Sequence, residues 1–258
     1  MTAEERAAWV EAHIKDYKMS QEEAEAVVDS MTDTEIELAR KNGFGAKEET
    51  LSDVLKRLRD NAPAAPVASQ RPQAEDVQTA FFAAVQMLCA HRGNKVIETA
   101  DFTENCAKVV NWIKGGRKWL LLSGKVGNGK TTAGRAAFLT LKKTGLAGLD
   151  KNAYDIALLY REINRNPRAA IEYDNIARCP LLFLDDLGTE SNATALSEIL
   201  YERYNNMRFT IFTTNLTGAE LAAKYGARIF DRFEELAEVV HFAGSSFRAK
   251  NKQATLWK

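Results

Sequence analysis

An α/β fold, with a parallel five-stranded sheet sandwiched by helices and a small all-α N-terminal domain ahead of it, follows from three features of this 258-residue chain. Gly124 to Thr131 reads G-K-V-G-N-G-K-T, the G-x-x-x-x-G-K-[ST] phosphate-binding pattern, between the apolar run Trp119 to Leu122 and a helical pattern. A second apolar run, Leu181 to Leu184, ends in Asp185-Asp186. Continuous runs of this kind mark strands buried on both faces, as in a parallel sheet. After residue 75 helical and strand patterns alternate, which predicts parallel strands joined by crossover helices.

Residues 1–60 read as a helical module. Helix starts are signalled by Ser20 with Glu23 and by Thr32 with Glu35, both S/T-x-x-E capping boxes, and Gly43 and Gly45 supply a stop after Lys41. A short amphipathic helix is predicted over about Leu51 to Leu58, where Leu51, Val54, Leu55 and Leu58 keep the i, i+3, i+4, i+7 spacing. Residues 61–75 are a linker: Asn61 to Gln73 reads N-A-P-A-A-P-V-A-S-Q-R-P-Q, with three prolines and no periodicity.

Residues 76–258 form the second domain. One helix is predicted around Phe81, Phe82, Val85 and Leu88, and a second around Phe102, Cys106, Val109, Val110 and Ile113. Others follow Lys130 and cover about Asp155 to Ile163 and Ala195 to Met207. Besides the two apolar runs, strands are predicted at Phe209 to Thr213 and, more weakly, at Val239 to Phe242. The fifth strand, due between the phosphate pattern and Leu181, is poorly signalled, because Gly145 to Ala153 (G-L-A-G-L-D-K-N-A) is neither apolar nor β-branched.

Composition narrows the class. The chain is 45% hydrophobic, with 35 Lys plus Arg against 35 Asp plus Glu. No apolar run approaches the ~18 residues that cross a bilayer. The start, Thr2-Ala3-Glu4-Glu5, lacks a basic, apolar signal pattern, so a cytoplasmic location is expected. Charge is uneven: residues 1–60 hold 15 acidic and 9 basic side chains, leaving 20 acidic and 26 basic beyond. The acidic part suggests a protein partner and the basic part permits a polyanion. Cys89, Cys106 and Cys179 are far apart and lack C-x-x-C spacing, so buried thiols are expected; His13, His91 and His241 are equally scattered.

The motifs carry a specific chemistry. Gly124, Gly127 and Gly129 let the backbone close into a concave loop whose N–H groups, with the next helix N-terminus, converge on phosphates. Lys130 is placed to reach β- and γ-phosphates, and the Thr131 hydroxyl to ligate Mg²⁺. Two carboxylates at the end of a buried strand are costly without a cation or hydrogen-bond partners. Asp185 is therefore assigned to Mg²⁺ through water and Asp186 to the water that attacks the γ-phosphate; the alternative is a surface Asp-Asp turn leading into Gly188. Asn215, after the strand Phe209 to Thr213, could orient that water. Arg228 and Arg232 lie four apart on one helical face, and Arg248 follows in S-S-F-R. Arginines stabilise the charge of phosphoryl transfer and can come from a neighbouring subunit; taken singly, each also reads as a surface salt bridge.

The series G-K-V-G-N-G-K-T, L-L-F-L-D-D-L-G-T-E, F-T-T-N-L-T, Y-G-A-R-I-F-D-R-F and S-S-F-R, in this order, resembles the DnaC-type helicase loaders over roughly Phe102 to Arg248. These are AAA+ ATPases of the clade shared with DnaA and the IstB-type transposition helpers. The resemblance implies an AAA+ P-loop NTPase core with ATP and Mg²⁺ as cofactors. Nucleotide would bind at Gly124, Val126, Gly127, Asn128, Gly129, Lys130, Thr131 and Thr132, with metal at Thr131 and Asp185. Catalytic roles would fall to Asp186, to Asn215 as sensor 1 and to Arg232 as the arginine finger for the next subunit. Arg248 would be the sensor 2 arginine acting in cis, with Arg228 supporting the subunit interface.

The implied function is ATP-dependent loading of a replicative helicase onto single-stranded DNA by a ring or spiral of copies of this chain, with no membrane role. The acidic N-terminal module would grip the helicase, and Lys142, Lys143, Lys151, Arg161, Arg165 and Arg168 would offer charge to the DNA backbone. Asp186 stands where many AAA+ proteins carry Glu, one methylene longer, so slow hydrolysis is expected. The ten residues after Arg248 are too few for the full helical lid of larger AAA+ machines. The first 75 residues align with nothing in the family and lack the zinc-binding cysteines of some loaders. The alternatives are an IstB-type ATPase coating duplex DNA and an interaction protein that holds ATP with negligible turnover. A small-metabolite kinase would need an acceptor pocket and lid, for which there is no segment.

Overall fold

The computed structural model describes residues 2–17, 20–29, 36, 76–94, 99–244 and 246–247. By their internal contacts the residues divide into two units, Met1–Asn61 and Ala62–Lys258. The Thr32 and Glu35 capping box, the Gly43 and Gly45 stop, the helix over Leu51 to Leu58, residues 61–75 and Arg248 lie outside the described residues.

The first unit contains α1 (Ala3–Tyr17) and α2 (Gln21–Asp29). A capping box opens α1: the Glu5 N–H donates to Thr2 Oγ1 at 3.2 Å, and the Thr2 N–H to Glu5 Oε2 at 2.7 Å. The second helix begins directly after Ser20, where the capping signal placed it. Trp9, Val10, Ala24 and Val28 meet in a small core against Ile36, and Arg6 bridges both Asp29 oxygens at 2.7 Å.

The second unit runs α3 (Val77–His91), α4 (Ala100–Gly115), β1 (Trp119–Gly124), α5 (Lys130–Lys143), β2 (Gly148–Asn152), α6 (Ala153–Glu162), α7 (Pro167–Arg178), β3 (Leu181–Leu187), α8 (Ala193–Asn205), β4 (Phe209–Thr214), α9 (Gly218–Tyr225), α10 (Ala227–Leu236) and β5 (Ala237–Phe242). All five strands pair in parallel in the order β2-β3-β4-β1-β5. Side chains alternate across the sheet with period two. Leu120, Leu122, Leu181, Phe183 and Ile211 pack with α3, α4 and α5 on one face, whereas Trp119, Leu121, Leu182, Leu184 and Phe212 pack with α6 to α10 on the other. The fold is that of the AAA+ P-loop NTPases.

The weakly signalled strand exists as β2. It lies at the sheet edge, pairs only with β3, and each of its residues retains partial exposure, so it needs no apolar run. Two helices absent from the sequence reading have local causes. The Asn166 side chain caps α7 by accepting the Arg168 N–H at 3.0 Å, with Pro167 at the first helical position. A Thr217/Glu220 capping box opens α9. The apolar run Leu181 to Leu184 extends as strand to Leu187, across a register irregularity in which Asp186 adopts φ 55°.

One buried cation organises the second face. Arg203 of α8 is fully buried; its Nε donates to Thr210 Oγ1 (2.9 Å), Nη1 to the carbonyls of Ile176, Ala177 and Cys179 (3.2, 3.2 and 2.9 Å) and Nη2 to Phe209 O (2.6 Å). It thus ties the C-terminus of α7 to the start of β4. Burial lowers its pKa to about 10. Of the cysteines, Cys106 is buried, and burial pushes its thiol up to about 12; Cys89 and Cys179 are half-buried, and all three are free. Among the described residues no helix is long and apolar enough to cross a membrane.

Candidate nucleotide site

Leaving β1 at Gly124, the chain folds through Lys125–Gly129 into the first turn of α5. Gly127 and Gly129 adopt φ 84° and 95°, left-handed values that a side chain disfavours. Both also lie under close cover: a Cβ at Gly129 would sit 2.7 Å from Phe102 Cε2, and one at Gly127 would overlap the Ser246 hydroxyl.

Lys130, only 5% exposed, turns its ammonium back into the loop. It donates to Gly124 O and Lys125 O, both at 2.7 Å, to Asn215 Oδ1 at 3.0 Å and to Asn128 Oδ1 at 3.3 Å. Asn215 gains this position because β4 lies between β1 and β3, so residues following β4 emerge beside the loop. The next residue, Thr131, donates its hydroxyl to Asp185 Oδ1 at 3.0 Å, and Thr213 of β4 donates to the same oxygen at 2.6 Å. Asp185 Oδ2 lies 3.6 Å from Arg135, whose guanidinium is held by Asp150 at 2.7 Å.

Asp185 is therefore a buried strand residue rather than part of a surface turn. Burial raises its pKa above the usual carboxylate range; the Thr213 hydrogen bond opposes that shift, and neighbouring Asp186 adds to it. Asp186 is half-buried and donates its N–H to Thr213 Oγ1 at 2.9 Å. The Thr131 hydroxyl and a buried Asp185 carboxylate form the oxygen donor pair that a hard divalent cation takes, so these residues fit magnesium.

The remaining predicted residues fall around this centre. Asn128 is buried and donates to Phe242 O at the end of β5; Val126 is 58% exposed, and Thr132 is half-buried on α5. The Phe247 N–H donates to Gly127 O at 2.8 Å, and its ring meets Phe102 edge-on at 5.5 Å, so part of the S-S-F-R motif crosses the loop. Arg232 stands apart. It lies on α10, across the sheet from α5, with its guanidinium 4.6 Å from the rings of Tyr201 and Tyr204, and it donates to Arg228 O at 2.6 Å. Among the proposed DNA contacts, Lys151 pairs with Glu172 at 2.5 Å and Arg161 donates to Ser191 at 2.8 Å.

Sequence reasoning missed Thr213, Arg135 and Asp150. A threonine inside the apolar strand F-T-I-F-T-T was the available signal for the first; the Arg135 to Asp150 contact bridges two elements and has no local signature.

Fold and loop together have the architecture of the AAA+ P-loop proteins. Among solved structures the chain is similar to a DnaC helicase loader, with 22% identity and a TM-score of 0.53 over 63% of this chain and 98% of that one. It is also similar to DnaI, with 23% identity and a TM-score of 0.50 over 67% and 93% of the two chains. At these identities the likeness is one of fold. No protein-family model and no curated protein sequence matches the chain.

Replacing Asp185 with Asn preserves an acceptor for Thr131 and Thr213 while removing a buried charge. A carboxyl with a raised folded pKa stabilises below its unfolded pKa, and that contribution is lost as pH rises through the folded value. Without nucleotide, D185N is therefore expected to melt at or above the wild-type temperature near about pH 7, with the difference vanishing toward about pH 4. If the chain hydrolyses Mg-ATP, D185N is expected to lower that turnover by about 10²-fold or more. Thermal melts across pH and phosphate-release assays check both.

Proposed function

We propose that this chain is an ATP-dependent loader of the replicative DNA helicase onto single-stranded DNA, acting as a ring or spiral of identical subunits with slow ATP hydrolysis. The observation that carries the reading is the convergence of Lys130, Thr131, Asp185 and Asn215 at one loop, on a fold shared with a DnaC helicase loader.

On this reading Lys130 exchanges the carbonyls of Gly124 and Lys125 for the β- and γ-phosphate oxygens, and the loop amides from Val126 to Thr132 face the remaining oxygens. Thr131 and Asp185 would hold magnesium, which would supply positive charge against the phosphates. Asp186 accepts hydrogen bonding from the attacking water, and Asn215, released from Lys130, orients it. Arg248 would be the arginine that acts on nucleotide in cis. Arg232, set across the sheet from its own loop, serves the site of the adjacent subunit. Residues 76–258 are the ATPase domain, joined by the linker 61–75 to residues 1–60, which bind the helicase. The cytoplasm is the corresponding compartment.

Phosphate release from Mg-ATP, measured with and without single-stranded DNA, tests the reading. Stimulation by single strands, together with rings or short spirals in electron micrographs, is the expected result. Absence of turnover would overturn the ATPase assignment, and filaments formed only on duplex DNA would move the chain to the IstB-type role. In the same assay Arg232→Ala is expected to lower stimulated turnover by about 10³-fold, the scale of a trans-acting arginine. Mg-ATP affinity of the isolated chain should stay unchanged.

A further inference from the structure

The chain immediately after Asp186 is tied down residue by residue. Both the N–H and the hydroxyl of Thr189 donate to Asp186 O, at 3.1 and 2.8 Å. Leu187 O accepts the Thr214 hydroxyl at 2.7 Å. Gly188, at φ 105°, packs so closely on Leu216 that a Cβ there would fall 2.5 Å from Leu216 Cδ1. The Gly188 N–H donates to Glu190 Oε2 at 2.9 Å.

Glu190 is the centre of this knot. Its carboxylate is fully buried, and Oε1 accepts the Tyr225 hydroxyl at 2.6 Å and lies 3.2 Å from Lys224 Nζ. Lys224 also donates to Gly188 O at 2.8 Å and to Glu190 O at 2.7 Å. Lys224 and Tyr225 end α9, the helix entered from β4 through Asn215 and Leu216. One buried carboxylate, one ammonium and one phenol thus lock the 186–190 loop to the segment that carries Asn215.

For stability alone this is an expensive arrangement, since the Glu190 carboxylate gives up all its water while its Lys224 partner keeps 27% exposure, and desolvating such a charge offsets what the ion pair returns. What it provides is geometry. Asp186 holds a left-handed backbone that aspartate seldom adopts, and such conformations persist where their surroundings over-determine them.

We propose that Glu190, Lys224 and Tyr225 are positioning residues for ATP hydrolysis: they fix the backbone of Asp186 and set its carboxylate in register with Asn215. The inference rests on the ATPase reading above and deepens it. None of the three touches nucleotide; each acts through the Asp186 to Glu190 loop.

The test compares Lys224→Met, Tyr225→Phe, Glu190→Gln and Glu190→Ala in the full chain by Mg-ATP turnover, nucleotide affinity and melting temperature. Lys224→Met and Tyr225→Phe are expected to lower kcat by about tenfold or more, the sensitivity that orientation errors of an ångström produce, with KM and affinity within about twofold of wild type. Glu190→Gln, which keeps an acceptor for the Gly188 N–H, is expected to recover part of the turnover lost in Glu190→Ala. Variants that melt earlier yet turn over at the wild-type rate while folded would overturn the inference and leave the ATPase reading intact. A wild-type chain without turnover would overturn the ATPase reading, and this inference with it.

Discussion

Lys130→Ala is expected to lower Mg-ATP turnover by about 10²- to 10³-fold, the usual scale for removing one preorganised charge-stabilising group. Saturable nucleotide binding should be lost in calorimetry on the same scale. The ammonium is almost fully buried and sits among Gly124 O, Lys125 O, Asn128 and Asn215, so it is already desolvated and aimed before any phosphate arrives. Lys130→Arg is expected to fail as well: the planar guanidinium of arginine is a poor replacement for a compact ammonium in a closed loop. The fold should survive both changes, because Lys125 is exposed and its freed carbonyl can take water, while the buried Gly124 carbonyl left without this donor costs about 1–3 kcal/mol. Circular dichroism with a wild-type melt, alongside unchanged heats of nucleotide binding for Lys130→Ala, would refute the site.

Arg203→Leu is expected to be the most damaging single change to the fold. It removes the donors for Thr210 Oγ1 and for the carbonyls of Ile176, Ala177 and Phe209, all buried between α7, α8 and β4, and for the half-buried carbonyl of Cys179. A buried acceptor left without a partner costs about 1–3 kcal/mol, so a loss of at least about 3 kcal/mol follows even if several carbonyls find other donors. For a domain of this size that is a fall in melting temperature of about 6–12 °C. Arg203→Lys is expected to recover little, because three mobile donors on one nitrogen cannot span acceptors that the planar guanidinium reaches in three directions. Nucleotide affinity in protein that remains folded should be near wild type, since Arg203 touches none of the loop residues.

What the sequence discloses is what depends on local chemistry. The phosphate loop, the strand leading to Asp185 and the polar end of β4 each announce themselves within ten residues, and the parallel order of the sheet follows from their alternation with helices. The edge strand β2 is faint because a strand with one neighbour and partial exposure is released from the demand for an apolar run. The starts of α7 and α9 were written in Asn166-Pro167 and in Thr217 with Glu220, although no strong apolar period accompanied them. Glu190 and Arg203 are different in kind. Their partners lie up to 35 residues away, and nothing local distinguishes a buried, fully satisfied charge from a solvated one. The left-handed backbone of Asp186 is likewise held by a tertiary bond to Thr213, with the local bond from Thr189 beside it.

The position of β1 in the sheet sets when this protein becomes competent. Trp119 of β1 pairs with Thr210 of β4 on one side and with Ala237 of β5 on the other, so the strand that launches the phosphate loop has no partner until β4 has been made. Pairings this distant in sequence form slowly, after their closure entropy has been met. On the ATPase reading, a nascent chain halted before β4 therefore lacks both the first partner of β1 and the residues Thr213 and Asn215 that reach the loop, and ligand capture on the ribosome should not precede emergence of β4.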